Sequence, residues 1–251
     1  MLPFMTGAML SSASQPYSTL GVTFDGVSDW MERASGFSAT ADGKSFTFSV
    51  WYRNAALGAA SEKILSHTAG APNEFFITTT PKFNVILRNG AGTTIANGLS
   101  TSALTADGNW HHLMIAADMA NTTVKVYLDG AVHAMTWSTG PLNDFVDWTG
   151  TTIGCGAQPG GTSLWSGDLA DFYLNTAAYL DPAAHLSKFR SAAGKPVDLG
   201  PDGSWPTGTV PTCFCGVAKG GAASDFGVNR GAGGNWTITG ALSLAASNPS
   251  D

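Results

Sequence analysis

The stretch GNWHHLMIAADMANTTVKVYLDG, residues Gly108–Gly130, contains two apolar runs of strand length. The first run spans Trp110–Asp118 and the second spans Thr122–Leu128, with Asn121 between them. Asn121 and the closing pair Asp129-Gly130 are residue types that form tight turns. The two runs are therefore predicted to be adjacent antiparallel strands.

Short runs with the period of two that is typical of β-strands continue on both sides of this stretch. Ser45–Arg53 (SFTFSVWYR) and Lys82–Arg88 (KFNVILR) alternate in this way, and Ser163–Leu174 supplies a further strand. Only the segment that begins at Asp181-Pro182 is typical of a helix, because an N-cap aspartate precedes a proline at the first helical position. Many short strands and one short helix predict an all-β, antiparallel sandwich with extended terminal segments.

The chain of 251 residues is poor in charge. Charged residues make up 12% of it, about half of the roughly 25% found in soluble domains. The formal net charge of −6 argues against a general nucleic-acid binder, which needs a basic face.

No segment approaches the roughly 18 consecutive apolar residues of a membrane span, so membrane insertion is not expected. A surface with so little charge is expected to be covered in an assembly, which favours a homo-oligomer.

Three landmarks in the sequence resemble laminin-G-like, concanavalin-A-like domains. Gly108–Gly130 is similar to that family's pair of strands, which starts with Trp-His and ends with Tyr-hydrophobic-Asp-Gly. Val22–Ala34 (VTFDGVSDWMERA) looks like the first strand of the family, and Leu164–Asp181 (LWSGDLADFYLNTAAYLD) is similar to its closing strand. The landmarks keep the family's order over roughly residues 21–190. The resemblance implies a jelly-roll β-sandwich.

The chain is predicted to have three parts. Residues 1–20 form an uncharged N-terminal arm, residues 21–194 the laminin-G-like jelly-roll domain, and residues 195–251 a Gly/Pro-rich extension with a final strand. The arm is either a loose terminus or a segment ordered by a neighbouring subunit, and the final strand pairs with the sandwich or with another chain. The low charge and the Gly/Ala/Ser/Thr-rich composition resemble laminin-G-like structural proteins of bacteriophages, which implies a place in the virion.

The same superfamily contains glycoside hydrolases, whose chemistry needs two carboxylates flanking the scissile bond. If the chain resembled the hydrolases of this family, it would be expected to carry Glu-x-Asp-x-Glu on one strand, and this sequence lacks that motif. The closest pairs of acids in the sequence also lack the period-two spacing of that motif. They are Asp25/Asp29, Asp144/Asp147 and Asp168/Asp171. No catalytic residue is therefore assigned.

Calcium is the other chemistry that the resemblance implies, because many laminin-G-like domains bind one calcium ion through loop carboxylates and carbonyls. The candidate ligands are Asp25, Asp29 and Asp171, since the first and closing strands can be neighbours. Turn and cap carboxylates that face solvent are the alternative explanation, and no metal is assigned.

We expect a non-enzymatic structural or adhesive component of a bacteriophage virion, such as a capsid decoration, fibre or tail module. Its partners would be further copies of itself and other virion proteins, with surface polysaccharide as a ligand. The alternatives are a free carbohydrate-binding lectin and a polysaccharide depolymerase whose active site is assembled between subunits.

A sugar site would combine loop-borne aromatic rings, which stack on sugars, with polar side chains that bind hydroxyl groups. The candidate carbohydrate-binding residues are Trp137, Asn143, Asp144, Asp147, Trp148 and Trp165. For each tryptophan, packing in the core or at a subunit interface is the alternative explanation.

Overall fold

The computed structural model describes residues 17–38, 40–54, 56–58, 60–68 and 73–251. Most of the predicted N-terminal arm, residues 1–16, lies outside the described residues. The strands of the described part, numbered in chain order, are β1 (Thr19–Leu20), β2 (Val22–Asp25), β3 (Trp30–Arg33), β4 (Ser45–Arg53), β5 (Glu62–His67), β6 (Glu74–Ile77), β7 (Phe83–Arg88), β8 (Thr94–Ser100), β9 (Trp110–Asp118), β10 (Thr123–Leu128), β11 (Ala131–Val132), β12 (Met135–Thr139), β13 (Ile153–Cys155), β14 (Ser166–Asn175), β15 (Cys213–Cys215), β16 (Val217–Ala218), β17 (Thr237–Thr239) and β18 (Ser243–Leu244).

These strands form two large antiparallel sheets that pack face to face. Sheet 1 has the order β11-β10-β9-β4-β14-β2-β18, with β15 also paired to β14. Sheet 2 has the order β12-β8-β7-β6-β5-β13-β3-β17, and β1 pairs separately with β16. The predicted all-β, antiparallel jelly-roll sandwich is confirmed.

The core lies between the two sheets and is dominated by aromatic rings. Phe46 and Phe48 of β4 both contact Phe75 of β6, with ring centroids 5.9 and 4.9 Å apart. All three side chains have 0% exposure. Edge-to-face and offset ring contacts of this kind add to the free energy gained by burying apolar area.

The central hairpin forms as predicted. Strands β9 and β10 pair in one continuous register, with Tyr127 opposite Met114 and Leu128 opposite Leu113.

The helix is shorter than its sequence indicated. Helix α1 spans Pro182–His185 and continues as one turn of 3-10 helix over Leu186–Lys188.

The C-terminal segment returns to the sandwich and adds four short strands, where the sequence indicated one. Strand β17 extends sheet 2 beside β3, and β18 extends sheet 1 beside β2. Trp236, which precedes β17, is part of the main core, and its ring contacts those of Phe37 and Phe172 at 5.7 and 6.1 Å. The described residues of both termini therefore pack on their own chain.

The outward side of sheet 1 is itself covered by apolar side chains. Tyr173 and Met114 on that side pack under Phe189, Leu199 and Phe214 from the helical turn and the C-terminal segment. No helix among the described residues is long and apolar enough to cross a membrane.

Candidate functional site

One end of sheet 1 holds an open cavity of about 550 Å³, where β2 and β4 end and β14 begins. Neighbouring antiparallel strands run in opposite directions, so the ends of some strands and the starts of others meet at one edge. The order β9-β4-β14-β2 brings these termini together. The polar side chains that line the cavity are Thr23, Asp25, Arg53, Asn54, Ser166 and Asp168.

An ion pair between Arg53 and Asp168 organises this cavity. Asp168 lies opposite Arg53 on one neighbouring strand and opposite Thr23 on the other. Its Oδ2 accepts from Arg53 Nε, and its Oδ1 accepts from the Thr23 hydroxyl, each at 2.5 Å. Arg53 Nη1 also donates to Ser247 Oγ at 3.0 Å. Both oxygens of Asp168 are therefore occupied, and the charge-assisted bonds fix the guanidinium in place.

A second cavity, of about 310 Å³, adjoins the first, and Gly108 lines both. The half-buried indole of Trp110 forms part of its wall and donates from Nε1 to Ser247 Oγ at 3.2 Å. Arg53 Cζ lies 5.9 Å from the centroid of this ring, within the range of a cation–π contact. We call the two adjoining cavities the end groove.

Asp25 forms the rim of the end groove. Its Oδ1 accepts the backbone N–H groups of Val27, Ser28 and Asp29 at 2.7 to 3.0 Å. These bonds, led by the one from Ser28, lower the pKa of Asp25 to about 2. Asp25 is therefore an ionised hydrogen-bond acceptor at any physiological pH.

Glu62 lies behind the end groove and supports its lining. Its Oε2 accepts from Asn54 Nδ2 at 2.9 Å and from the Ser166 backbone N–H at 3.3 Å. Burial raises the pKa of this carboxyl, and its side chain does not line the cavity. Glu62 thus positions two residues that do.

Two of the tryptophans predicted to bind sugar lie in the core, which corrects that part of the prediction. Trp148 and Trp165 have 0% exposure. The segment before Trp148 bridges back to Gly43, and the Trp148 backbone N–H donates to Asp42 Oδ1 at 2.9 Å, which turns the indole inward. Trp165 packs edge-on against Tyr52 at 6.0 Å. Neither ring has a face that a sugar could reach.

The other predicted sugar-binding residues are dispersed. Trp137 is half-buried on the edge strand β12 and lines a separate apolar cleft of about 370 Å³. Asn143 accepts from Lys44 Nζ at 2.7 Å, and Asp144 accepts from Asn89 Nδ2 at 2.8 Å, both on an exposed loop.

Asp147 is the most enclosed polar member of the predicted set, at 7% exposure. Its Oδ1 accepts the backbone N–H groups of Thr149 and Gly150 at 3.0 and 3.1 Å, so it stabilises a turn. The structure therefore does not bring the predicted set together into one site.

The three carboxylates considered for calcium do not form one cluster, although Asp25 and Asp29 belong to the same turn. Asp25 closes its own turn, and Asp29 accepts the Ala241 backbone N–H at 2.8 Å. Asp171 accepts the hydroxyl groups of Tyr17 and Thr19 at 3.0 and 2.8 Å. Across the ranges that the structure describes, no group of three or more His, Cys, Asp or Glu side chains is placed to hold a metal ion.

The sequence did not indicate that the residues of the end groove form one site, although Asp25 was considered as a calcium ligand and Asp168 as part of an acid pair. Arg53, Trp110 and Asp168 are far apart in the chain and become neighbours only through the order of strands in sheet 1. The available signal was the position of Arg53 and Trp110 at strand termini, since strand ends present side chains to the rim of a sandwich.

Comparisons with known proteins agree with this fold. The model of a family described as the concanavalin A-like lectin/glucanases superfamily matches residues 25–180. No curated protein matches the chain. Among solved structures, a protein of Bacteroides ovatus described as carbohydrate-binding superposes with a TM-score of 0.64 and 15% identity. That match covers 94% of this chain and 62% of the Bacteroides protein, so the chain spans less than two thirds of that protein's length.

Two further solved structures are similar over a smaller part of this chain. A heptameric SAP-like pentraxin from Limulus polyphemus has 13% identity and a TM-score of 0.46, covering 66% of this chain and 79% of the pentraxin. Domains LG4-5 of mouse laminin α1 have 16% identity and a TM-score of 0.46, covering 66% of this chain and 44% of theirs. The Bacteroides protein has only 15% identity to this chain, so the similarity between the two shows a shared fold and no more.

Proposed function

The chain belongs to the concanavalin A-like lectin/glucanases superfamily, and on that premise we propose that it is a non-enzymatic carbohydrate-binding module whose ligand lies in the end groove. The observation that carries the proposal is the combination of the Trp110 ring with the polar network of Arg53 and Asp168. Sugar ligands are bound by an aromatic surface for the ring's C–H groups and by fixed donors and acceptors for its hydroxyls. The end groove offers both in adjoining cavities.

The surroundings of the groove carboxyls support binding rather than cleavage. Glycosidic cleavage requires a general acid whose pKa is raised toward the working pH. The pKa of Asp25 is instead lowered to about 2, and both oxygens of Asp168 are held by Arg53 and Thr23. Glu62, whose pKa is raised by burial, lies behind the lining and does not reach the cavity. We expect no shortening of any polysaccharide that the protein binds.

The test is a glycan array on the full chain and on variants that fill the groove. Ala56 and Ala246 are exposed and line the larger cavity, so Ala56→Trp and Ala246→Trp should obstruct it without disturbing the core. We expect binding of a polysaccharide by the wild type and a loss of at least about tenfold in affinity in each variant, equivalent to 1.4 kcal/mol.

The matched control is Ala91→Trp, which adds the same indole at an exposed turn between β7 and β8, away from the groove. The control should bind as the wild type does. Retained affinity in both groove variants would place the ligand elsewhere, and a wild type that binds no glycan would remove the proposed function.

The more specific part of the proposal is display on a bacteriophage particle, as a homo-oligomeric capsid decoration, fibre or tail module. Its support is the low charge of 12% and the absence of Lys, Arg, Asp and Glu from residues 1–20 of the sequence. Association with other virion proteins would cover such surfaces. Mass spectrometry of purified particles should detect the protein in many copies per particle, and its absence from them would refute this part.

A further inference from the structure

A third cavity, of about 410 Å³, lies beside helix α1 and contains an arginine whose side chain forms no hydrogen bond and no close ion pair with the described residues. We infer that this cavity, which we call the Arg190 cavity, binds a small oxyanion: a carboxylate, sulfate or phosphate group. On a glycan such a group would be a uronic acid or an acidic ester. The inference concerns the Arg190 cavity alone and does not depend on a ligand in the end groove.

The Arg190 side chain has no hydrogen-bonding partner among the described residues. Its Nε is buried with no acceptor, and its guanidinium forms no ion pair with any described carboxylate. Arg33 shows what a satisfied guanidinium looks like in this chain, because its Nε, Nη1 and Nη2 all donate to oxygen atoms at 2.7 to 3.0 Å. A partly buried cation with unused donors is costly unless an anion completes it.

Two glycines hold the guanidinium at the wall of the Arg190 cavity. A Cβ atom at Gly130 would lie 3.3 Å from Arg190 Nη1, and one at Gly194 would lie 2.9 Å from Nη2. Both glycines have positive φ, 89° and 76°, which brings their backbone close to the side chain. The planar fork is therefore positioned without a polar partner, as bidentate recognition of an oxyanion requires.

The charge of the surrounding segment favours an anion. Residues 182–195 contain Lys188, Arg190 and Lys195 and no acid, in a chain whose net charge is −6. The acid in the lining is Asp129, whose oxygens accept hydrogen bonds from the His111 ring and from the His112 backbone N–H. These bonds and the nearby charges of His111 and Arg190 lower its pKa, so Asp129 is a negative charge near the guanidinium that forms no ion pair with it. Lys188 and Lys195 lie outside the lining and add positive charge around it, which raises the concentration of anions near the cavity.

Titration of the full chain with three anions at constant ionic strength tests the inference. Sulfate, phosphate and glucuronate should be added in chloride buffer while binding is followed by calorimetry. We expect saturable binding of at least one of them, with a dissociation constant on the order of 1 mM. Preference for glucuronate would identify a uronic acid as the natural group, and preference for sulfate or phosphate would identify an acidic ester.

Two variants and one control localise the binding. Arg190→Gln removes the fork, and Ala192→Trp fills the cavity from an exposed position while keeping the guanidinium. Each should weaken binding at least tenfold. Lys188→Gln removes one positive charge from the same segment outside the lining and should change the affinity less than twofold. The inference fails if no anion saturates, or if Lys188→Gln weakens binding as much as Arg190→Gln. It also fails if Ala192→Trp, folded, binds as the wild type does.

Discussion

Replacement of Trp148 by alanine is expected to lower the free energy of unfolding by about 3 to 5 kcal/mol. The indole is fully buried, with its ring centroid 5.3 Å from that of Phe46 and 6.0 Å from that of His67. Its Nε1 has no hydrogen-bonding partner among the described residues, so the loss is one of packing and buried apolar area. Urea denaturation followed by circular dichroism measures the change.

The matched control for this prediction is Trp205→Ala. Trp205 is 62% exposed, so its removal should change the free energy of unfolding by no more than about 0.5 kcal/mol. A loss below about 1 kcal/mol for Trp148→Ala would contradict its place in the core. Trp148 would then again be a candidate sugar-binding residue.

Replacement of Asp171 by asparagine is expected to stabilise the protein at pH 7.5, by about 1 to 3 kcal/mol. The Asp171 carboxyl is 3% exposed, and its Oδ2 is buried without a hydrogen-bonding partner. Burial raises its pKa from 3.8 to about 6, even though Tyr17 and Thr19 donate to Oδ1. Asparagine can accept the same two bonds and tolerates the left-handed backbone at this position, where φ is 44°.

The raised pKa of Asp171 also determines how its contribution to stability changes with pH. Because the pKa of Asp171 is higher in the folded state than in the unfolded state, the folded protein binds the extra proton between these two values. The contribution of Asp171 to stability therefore rises as the pH falls from above 6 to below 3.8, and it is least favourable above pH 6. The advantage of the asparagine variant should shrink over the same range, as measured by thermal unfolding at several pH values.

Asp144, which is less buried than Asp171, provides a control of opposite sign. The pKa of Asp144 is lowered, chiefly by the hydrogen bond from Asn89, so Asp144→Asn should destabilise the protein at pH 7.5 rather than stabilise it. If Asp171→Asn destabilises the protein at pH 7.5, or if its effect does not vary with pH, burial of the charged Asp171 carboxylate does not destabilise the folded protein.

The strands were predictable wherever local pattern and tertiary environment agree. Ser45–Arg53 was identified with the bounds that the structure gives β4, and Trp110–Asp118 with those of β9. Both are long strands at the centre of sheet 1, where period-two alternation and turn residues specify the same structure.

Irregular backbone accounts for part of what was missed. Leu169, Phe172 and Leu174 all face the core although their spacing breaks the period of two. The break is a β-bulge in β14 between Ala170 and Tyr173, centred on the left-handed Asp171. An alternating pattern cannot reveal such a shift in phase. The same limit applies to Trp148, because loop composition does not show which side of the loop faces the core.

The end groove was missed for a topological reason. Thr23, Arg53, Asp168 and Ser247 come from four separate segments, and their contacts depend on which strands are neighbours in sheet 1. Local sequence carries strand identity but not strand order. A site made of single residues from distant strands therefore has no spacing that a motif search would detect.

The most direct test of the carbohydrate-binding proposal is the indole N–H signal of Trp110 in a nuclear magnetic resonance titration with a polysaccharide selected on the array. The chain has eight tryptophans, and the signals can be assigned by single Trp→Phe variants. Trp110 Nε1 donates to Ser247 within the end groove, so the proposal predicts that its signal shifts with saturation while that of Trp205 does not. A shift confined to Trp137 or Trp205, with Trp110 unmoved, would contradict it.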